Sequence, residues 1–462
     1  MEEAFRDHIA TVNQDGKRVW VYPKKPKGKF TNRRKLISYS LLVFLLSAPF
    51  IKINGDQLIE INILERKFSM FGATFWPQDL YLFAVMLIIA IVFVILFTII
   101  YGRLFCGWFC PQTIFMEFVF RQVEYWIDGD WTKQRALDKQ AWNAQKWAKR
   151  ILKHTIFWLI SFVIANIFLA YIIGSNALLK IITEPVREHI GGLISIGIFT
   201  TIFYFVFSWL REQVCTTICP YGRLQGVLLD QNSMVVAYDY VRGEDRGKFR
   251  KGEDRPSAKK GDCIDCSQCV HVCPTGIDIR NGTQLECVNC TACIDACDSM
   301  MEGVGLEKGL IRFVSENGIR NRTRFQWTRR VISYTVLLVI LIGIWVTMMA
   351  IREDFSTTII RQRGSTYQLT REKDISNIFE IDLTNKTKEV FRVKLVSSDP
   401  SVKLELASDS LELPGQKHIR ERFLARFPYS FIQNGTRKID IIIVGNGKEM
   451  DRVRIKVIGP SF

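Results

Sequence analysis

Eight of the chain's twelve cysteines fall in one run, CIDCSQCVHVCPTGIDIRNGTQLECVNCTACIDAC, between Cys263 and Cys297. They parse as Cys263-x2-Cys266-x2-Cys269-x3-Cys273-Pro274, then Cys287-x2-Cys290-x2-Cys293-x3-Cys297. A C-x2-C-x2-C loop can wrap three corners of an Fe4S4 cube, its backbone N–H groups facing the inorganic sulfurs. The fourth corner must then come from elsewhere. The pattern predicts two [4Fe-4S] clusters with crossed fourth ligands. Cys263, Cys266, Cys269 and Cys297 would hold one, and Cys287, Cys290, Cys293 and Cys273 the other. Zinc is the competing metal, but it takes paired C-x2-4-C knuckles rather than this longer run. Asp298 stands where a second proline often follows the last cysteine, a change expected to alter loop stiffness more than ligation.

The remaining four cysteines occur as an internal repeat, LFCGWFCP and QVCTTICPYG. Cys106 and Cys215, Cys110 and Cys219, and Pro111 and Pro220 are each 109 residues apart. If each C-x3-C is helical, its cysteines share one face with Cβ atoms about 5–6 Å apart. Two thiolates at that spacing can share a soft metal ion. Parallel repeats in a membrane bundle commonly set matching elements around one centre, so four could form a tetrathiolate site. Buried packing cysteines near helix ends are the alternative; the matched prolines favour the site.

Other chemistry-bearing residues carry less. The five histidines are His8, His154, His189, His271 and His418. On the topology below, His154 and His189 lie at opposite faces, which argues against a shared haem. His271 is expected to be a loop residue of the cysteine run. Met348 and Met349 are read as packing residues rather than Cu(I) ligands. Asn166 is expected to make an interhelical hydrogen bond or to line a site.

The elements that position these residues belong to a membrane. The chain is 48% hydrophobic yet carries a formal charge of +16. Its Lys and Arg cluster beside apolar runs with no nucleic-acid signature, so nucleic-acid binding is excluded in favour of membrane flanks. Leu80–Ile100, Thr155–Ile173, Ile190–Leu210 and Val331–Ala350 are uncharged and match the roughly 20 residues that span a bilayer. Leu36–Ile51 is shorter and holds Pro49, and is read as a fifth span rather than a cleaved signal. The segment before it has seven basic residues and Gly102–Lys153 has nine, against three in Lys52–Asp79 and two in Gly174–His189. The positive-inside rule then places the N-terminus and the cysteine run on the cytoplasmic side, with the C-terminal region on the opposite side. All twelve cysteines lie on the reducing side, as metal-ligand thiols should.

The expected architecture is a multi-domain membrane protein. Residues 1–35 are an irregular cytoplasmic lead-in, and 36–240 a membrane domain with four helices and both C-x3-C-P motifs. Residues 241–330 are a charged linker and an α+β two-cluster ferredoxin domain, and 331–351 are the fifth helix. Asp128–Lys153 is expected to form an interfacial or connecting helix. Residues 352–462 alternate apolar and polar positions between turn residues, which predicts an all-β immunoglobulin-like sandwich without a catalytic constellation.

Five spans, the motifs FCGWFCPQT and CPYGRLQG, an eight-cysteine ferredoxin run and an exported sandwich together resemble the CcoG/FixG/RdxA family of cbb3-type cytochrome c oxidase accessory proteins. The resemblance covers essentially the whole chain. The membrane half is also similar to the polyferredoxin subunits of nitrate and nitrous-oxide reduction systems. The family resemblance implies a cupric reductase that supplies Cu(I) during oxidase assembly. Its partners would be oxidase-assembly or copper-handling proteins, and its electron donor is not named. The eight ferredoxin cysteines would relay electrons, and Cys106, Cys110, Cys215 and Cys219 would handle copper. Soft thiolates prefer Cu(I) to Cu(II), which favours reduction beside a one-electron donor. The rival readings are an electron-transfer subunit between the quinone pool and a soluble partner, and a non-enzymatic copper-binding scaffold.

Overall fold

The computed structural model describes residues 11–461 apart from 14, 54, 63–66, 76–78, 324, 353–354, 363, 365, 371–373, 388, 407–410, 416 and 433. The chain forms two compact units, Met1–Ile63 with Val85–Gly343, and Leu64–Ala84 with Ile344–Phe462.

Among the described residues, four helices are long and apolar enough to cross a bilayer: Leu80–Tyr101, Ala144–Ile173, Arg187–Leu210 and Arg329–Ala350. The expected span Leu36–Ile51 is not one of them. Its helix runs instead from Lys29 to Ser47, displaced toward the N-terminus for a local reason. The buried Asp295 carboxylate accepts from the backbone N–H groups of Phe30 (3.0 Å) and Thr31 (2.6 Å) and from the Thr31 hydroxyl (2.7 Å). This outside carboxylate satisfies the orphan donors of the first turn and suits the positive end of the helix dipole. At the other end the helix stops just before Pro49. There the Tyr171 hydroxyl donates to the Leu45 carbonyl (2.6 Å), and Ala48 packs with Leu58 and Tyr171. The helix therefore starts beside the cysteine run and ends beside the far end of Ala144–Ile173. Its 19 residues cover about 28 Å at 1.5 Å per residue.

Asp128–Lys153 also differs from expectation. It is a short helix, Trp131–Lys139, followed by a break and the start of Ala144–Ile173. Asn143 causes the restart: its side chain accepts from the Lys146 N–H (2.8 Å) as an N-cap. Lys153 turns back to pair with Asp128 (2.7 Å).

The cysteine run folds as a small α+β layer in the first unit. Strands Val235–Tyr238 and Ile311–Val314 pair antiparallel, and helices Gln268–His271 and Ala292–Val304 pack over Ile277, Ile279, Met301 and Leu310. The N-terminal lead-in is a strap rather than loose chain. Lys24 donates its N–H to the His271 carbonyl (2.7 Å) and its ammonium to Gln268 (2.9 Å), while the Tyr125 hydroxyl donates to the Pro23 carbonyl (3.0 Å). His271 is helical, not a loop residue, and stacks on Trp131.

The second unit contains a two-sheet sandwich. One sheet runs Lys403–Leu406, His418–Pro428, Asp374–Asn385, Phe355–Arg361, with Gln368–Leu369 also on Asp374–Asn385. The other runs Leu411–Leu413, Phe391–Ser397, Asn434–Gly445, Lys448–Ser461. Alternate residues of both sheets, among them Phe379, Ile381, Phe423, Ile441 and Val457, fill one core.

Candidate metal centres

The two halves of the ferredoxin run fold alike. Asp265 and Ser267 in the first loop take left-handed backbone (φ 54° and 53°), and so do Asn289 and Thr291 in the second (51° and 63°). These are equivalent positions, 24 residues apart. Non-glycine residues there cost roughly 1–2 kcal/mol each, so the strain must have a compensating purpose. Alternating right- and left-handed residues form a nest that turns successive N–H groups inward onto an anion. Side chains hold both loops: Asp265 binds Arg280 (2.6 Å), and Asn289 accepts from the Val236 N–H (3.2 Å).

Each nest opens on a cavity. Cys263, Cys266, Cys269 and Cys297 line one, with Tyr238, Met301 and Leu310. Cys273, Cys287, Cys290 and Cys293 line the other, with Val236, Ile277 and Val288 and an edge of Cys269. These are the crossed sets expected from the spacing. All twelve cysteines are free thiols. Burial pushes Cys269, Cys287 and Cys297 up to about 12, and Cys290 up to about 11. Soft sulfur donors, apolar walls and inward N–H groups together fit an iron–sulfur cluster. When bound, such a group supplies one-electron transfer.

The C-x3-C-P segments do not form one continuous helix each. Cys106 lies in Leu104–Trp108, but Cys110 is the extended cap (ψ 123°) of the next helix, Pro111–Phe115. Cys215 lies in the π-helix Val214–Ile218, and Cys219 (ψ 113°) caps Pro220–Leu228. The same-face geometry is thus corrected by the prolines, which take the N1 positions and force extended backbone on the residue before them. The four thiols nonetheless lie in one region of the unit, although no three of them come within 4.8 Å of one another. Burial is the main force raising Cys106 to about 11, and the charges of Cys110 and Cys219 add to it. Burial likewise raises Cys215 to about 12, with Cys110 and Cys106 adding. The Cys106 thiol meets Gln225 Oε1 at 3.1 Å, and Cys215 sulfur lies 4.0 Å from the Thr113 hydroxyl.

This quartet abuts the second ferredoxin set. Cys106 is buried in one cluster with Val288, Cys290 and Ala292, against which Cys215 and Cys293 also pack. A side chain on Gly107 would come within 2.3 Å of the Val288 carbonyl and 3.0 Å of Cys290 backbone. Only a glycine fits between the two sites.

Two arginines that sequence reasoning missed frame this seam. Arg34 donates Nε–H to the Gly107 carbonyl (2.6 Å). Arg103 donates to Gln225 Oε1 (3.1 Å), to the Cys215 carbonyl (3.2 Å) and to the Leu285 carbonyl. Both had been counted only as membrane-flank charge. The motif-adjacent position of Arg103 was the available signal. The weaker candidates stay apart. His154 meets the Tyr204 hydroxyl (2.9 Å), whereas His189 pairs with Glu184 (2.6 Å) near the other end of Ala144–Ile173. Asn166 donates to the Phe162 carbonyl of its own helix (2.8 Å) and lines an apolar cavity of about 560 Å³, so it makes no interhelical bond.

Residues 210–316 match the family model of a 4Fe-4S dicluster domain, and residues 82–134 that of a 4Fe-4S binding domain. Residues 345–460 match the IG-like fold at the C-terminus of FixG, which that model describes as a candidate oxidoreductase. RdxB of Cereibacter sphaeroides is 32% identical over 410 residues, 84% of each chain. RdxA of the same organism is 34% identical over 393 residues, 82% of each. Nitrogen fixation protein FixG of Rhizobium meliloti is 34% identical over 304 residues, 65% of this chain, which thereby spans 58% of that relative's length. The crystal structure of a FixG-related protein from Vibrio parahaemolyticus aligns with 23% of this chain and 97% of its own, at 14% identity and a TM-score of 0.21. With its apolar helices and cysteine cavities, the chain is a membrane iron–sulfur protein of oxidoreductase type, and it belongs to the FixG/RdxA family.

Proposed function

We propose that this chain is a membrane-bound reductase of Cu(II) that supplies Cu(I) for assembly of a cbb3-type cytochrome c oxidase. The observation that carries this reading is that one buried cluster contains Cys106 and Cys290 and has Cys215 and Cys293 packed against it. Two [4Fe-4S] clusters would be held by Cys263, Cys266, Cys269 and Cys297, and by Cys273, Cys287, Cys290 and Cys293. Copper is the substrate of the quartet Cys106, Cys110, Cys215 and Cys219. Each Cu(II) gains one electron, supplied in the assay by dithionite, and is retained as Cu(I) because thiolates favour the softer ion. Gln225 and Thr113 orient two of the thiols.

The topology proposed with it has five crossings, cytoplasmic cysteines and a periplasmic sandwich. Support comes from Lys29–Ser47, which starts beside Gly107 and ends beside Tyr171. Copper-handling or oxidase-assembly proteins are the proposed partners.

The test is Cu(II) reduction by anaerobically purified protein after Cys106 and Cys110, or Cys215 and Cys219, are changed to Ser. Rates should fall on the order of a hundredfold or more. The double-pair variant should lose little beyond that, since the thiols act as a unit. Full activity in either variant overturns the reading. A second reading has a specific support: the 4Fe-4S binding match at 82–134 includes Cys106 and Cys110. In that electron-transfer subunit the quartet ligates a cluster, and its loss would lower iron and sulfide content. A copper scaffold would bind copper yet never reduce it.

A further inference from the structure

A buried charge needs an opposite charge beside it. Arg34 and Arg103 are each 3% exposed and Arg255 is 5% exposed, yet among the described residues their hydrogen-bond partners are all neutral. Arg34 binds the Gly107 carbonyl, and its second terminal nitrogen has no partner. Arg103 binds two carbonyls and an amide oxygen. Arg255 binds the Gly247, Gly261 and Cys263 carbonyls, the last at 3.0 Å. Glu117, the acid that acts on Cys290, is already bound to Arg121. Arg255 has the Glu253 carboxylate near it and reaches only a cysteine carbonyl, whereas Arg34 and Arg103 sit at the cysteine seam. Arg34 is the strongest positive influence on the Cys290 thiol. Arg103 acts on Cys106, Cys215 and Cys287 together.

We infer that the two seam arginines are the built-in counter-charges of the anionic cysteine centres there. Arg34 and Arg103 serve the seam between the quartet and the set Cys273, Cys287, Cys290 and Cys293. They are positioning residues that set how readily each centre accepts an electron. A fixed positive charge stabilises the more negative, reduced state, so it raises the midpoint potential of its own centre. This role rests on the iron–sulfur half of the proposed function and is independent of copper.

The experiment is an EPR-monitored reductive titration of the full chain, purified anaerobically, with Arg34→Gln, Arg103→Gln and Arg255→Gln, each beside its Lys counterpart. Arg34→Gln and Arg103→Gln should lower the midpoint of the same one cluster signal, and Arg255→Gln, away from the seam, should leave that signal in place. The Lys variants should stay near the parent, with iron and sulfide content unchanged. If no midpoint moves, or all three substitutions move both signals together, the inference fails. Should a Gln variant lose a cluster, the Lys variant decides: a midpoint shifted although the charge is kept overturns the proposal. Selective shifts without any Cu(II) reduction would sink the copper reading and leave this one standing.

Discussion

Two groups of buried arginines lie in the first unit, and they are neutralised in opposite ways. Arg211 meets both oxygens of Glu124 at 3.0 and 2.7 Å, and Arg121 meets Glu117 and Glu212. Lys153 and Asp128 complete that network, so the chain balances its own charge there. Arg34 and Arg103, at the cysteine seam, have only carbonyl and amide oxygens. The first arrangement is closed and ties helix ends together. The second is open, and its missing anion has to come with a metal centre. Buried charge left unbalanced by the chain therefore marks where chemistry is housed.

The largest expected effect tests that housing. Cys297→Ala should remove the cluster of Cys263, Cys266 and Cys269, lowering bound iron from about eight to about four per chain. Cys273→Ala should remove the other, although Cys273 is the nearer in sequence to the first three cysteines. Iron and acid-labile sulfide analysis with EPR checks both. Loss of the sequence-adjacent cluster instead would mean that the fourth ligands do not cross.

Next comes the closed network. Glu124→Gln leaves Arg211 with only its longer contact to Glu212 (3.7 Å), and should destabilise the chain by about 3 kcal/mol. Cluster midpoints should barely move in the folded fraction. Arg34→Gln should do the reverse, with a clear midpoint shift and a small stability change. Denaturation curves beside redox titrations measure the contrast. Equal behaviour of the two variants would erase the distinction drawn above.

Gly107→Ala is a finer probe. Its methyl group would press on the Val288 carbonyl and Cys290 backbone, neither of which can rotate away. A cost of about 1–3 kcal/mol is expected for overpacking there, with copper reduction reduced more than stability. A variant that keeps parental reduction rates would show that the seam tolerates separation.

How much of this was legible beforehand follows from where each feature is encoded. The ferredoxin sets were readable because ligand reach fixes local spacing. The four long helices and the alternating strands were readable from hydropathy. The helix Lys29–Ser47 was misplaced by seven residues at its start because its cap, Asp295, lies far along the chain. At the C-x3-C-P cysteines the spacing misled on geometry, since each proline ends the helix that same-face spacing assumed. Arg34 and Arg103 were invisible for a similar reason. Their meaning depends on the absence of an acid in three dimensions, which no local pattern reports.

A comparable effect is predicted in the second unit, where buried charge is again closed. Asp79 is fully buried and meets Arg352 and Lys386, each at 2.7 Å. Burial alone would raise its pKa, but the hydrogen bonds and charges of Lys386 and Arg352 outweigh it and hold the carboxyl below the usual range. A lowered folded pKa means the ionised form is favoured by folding. Its contribution is therefore complete above the unfolded carboxyl pKa of about 4 and fades as pH falls through the folded value. Asp79→Asn should cost roughly 2 kcal/mol at pH 7, and the gap to the parent should close as the pH is lowered past 4. Thermal unfolding of the sandwich at a series of pH values measures that gap. A gap independent of pH would mean that shape, not charge, is what Asp79 contributes.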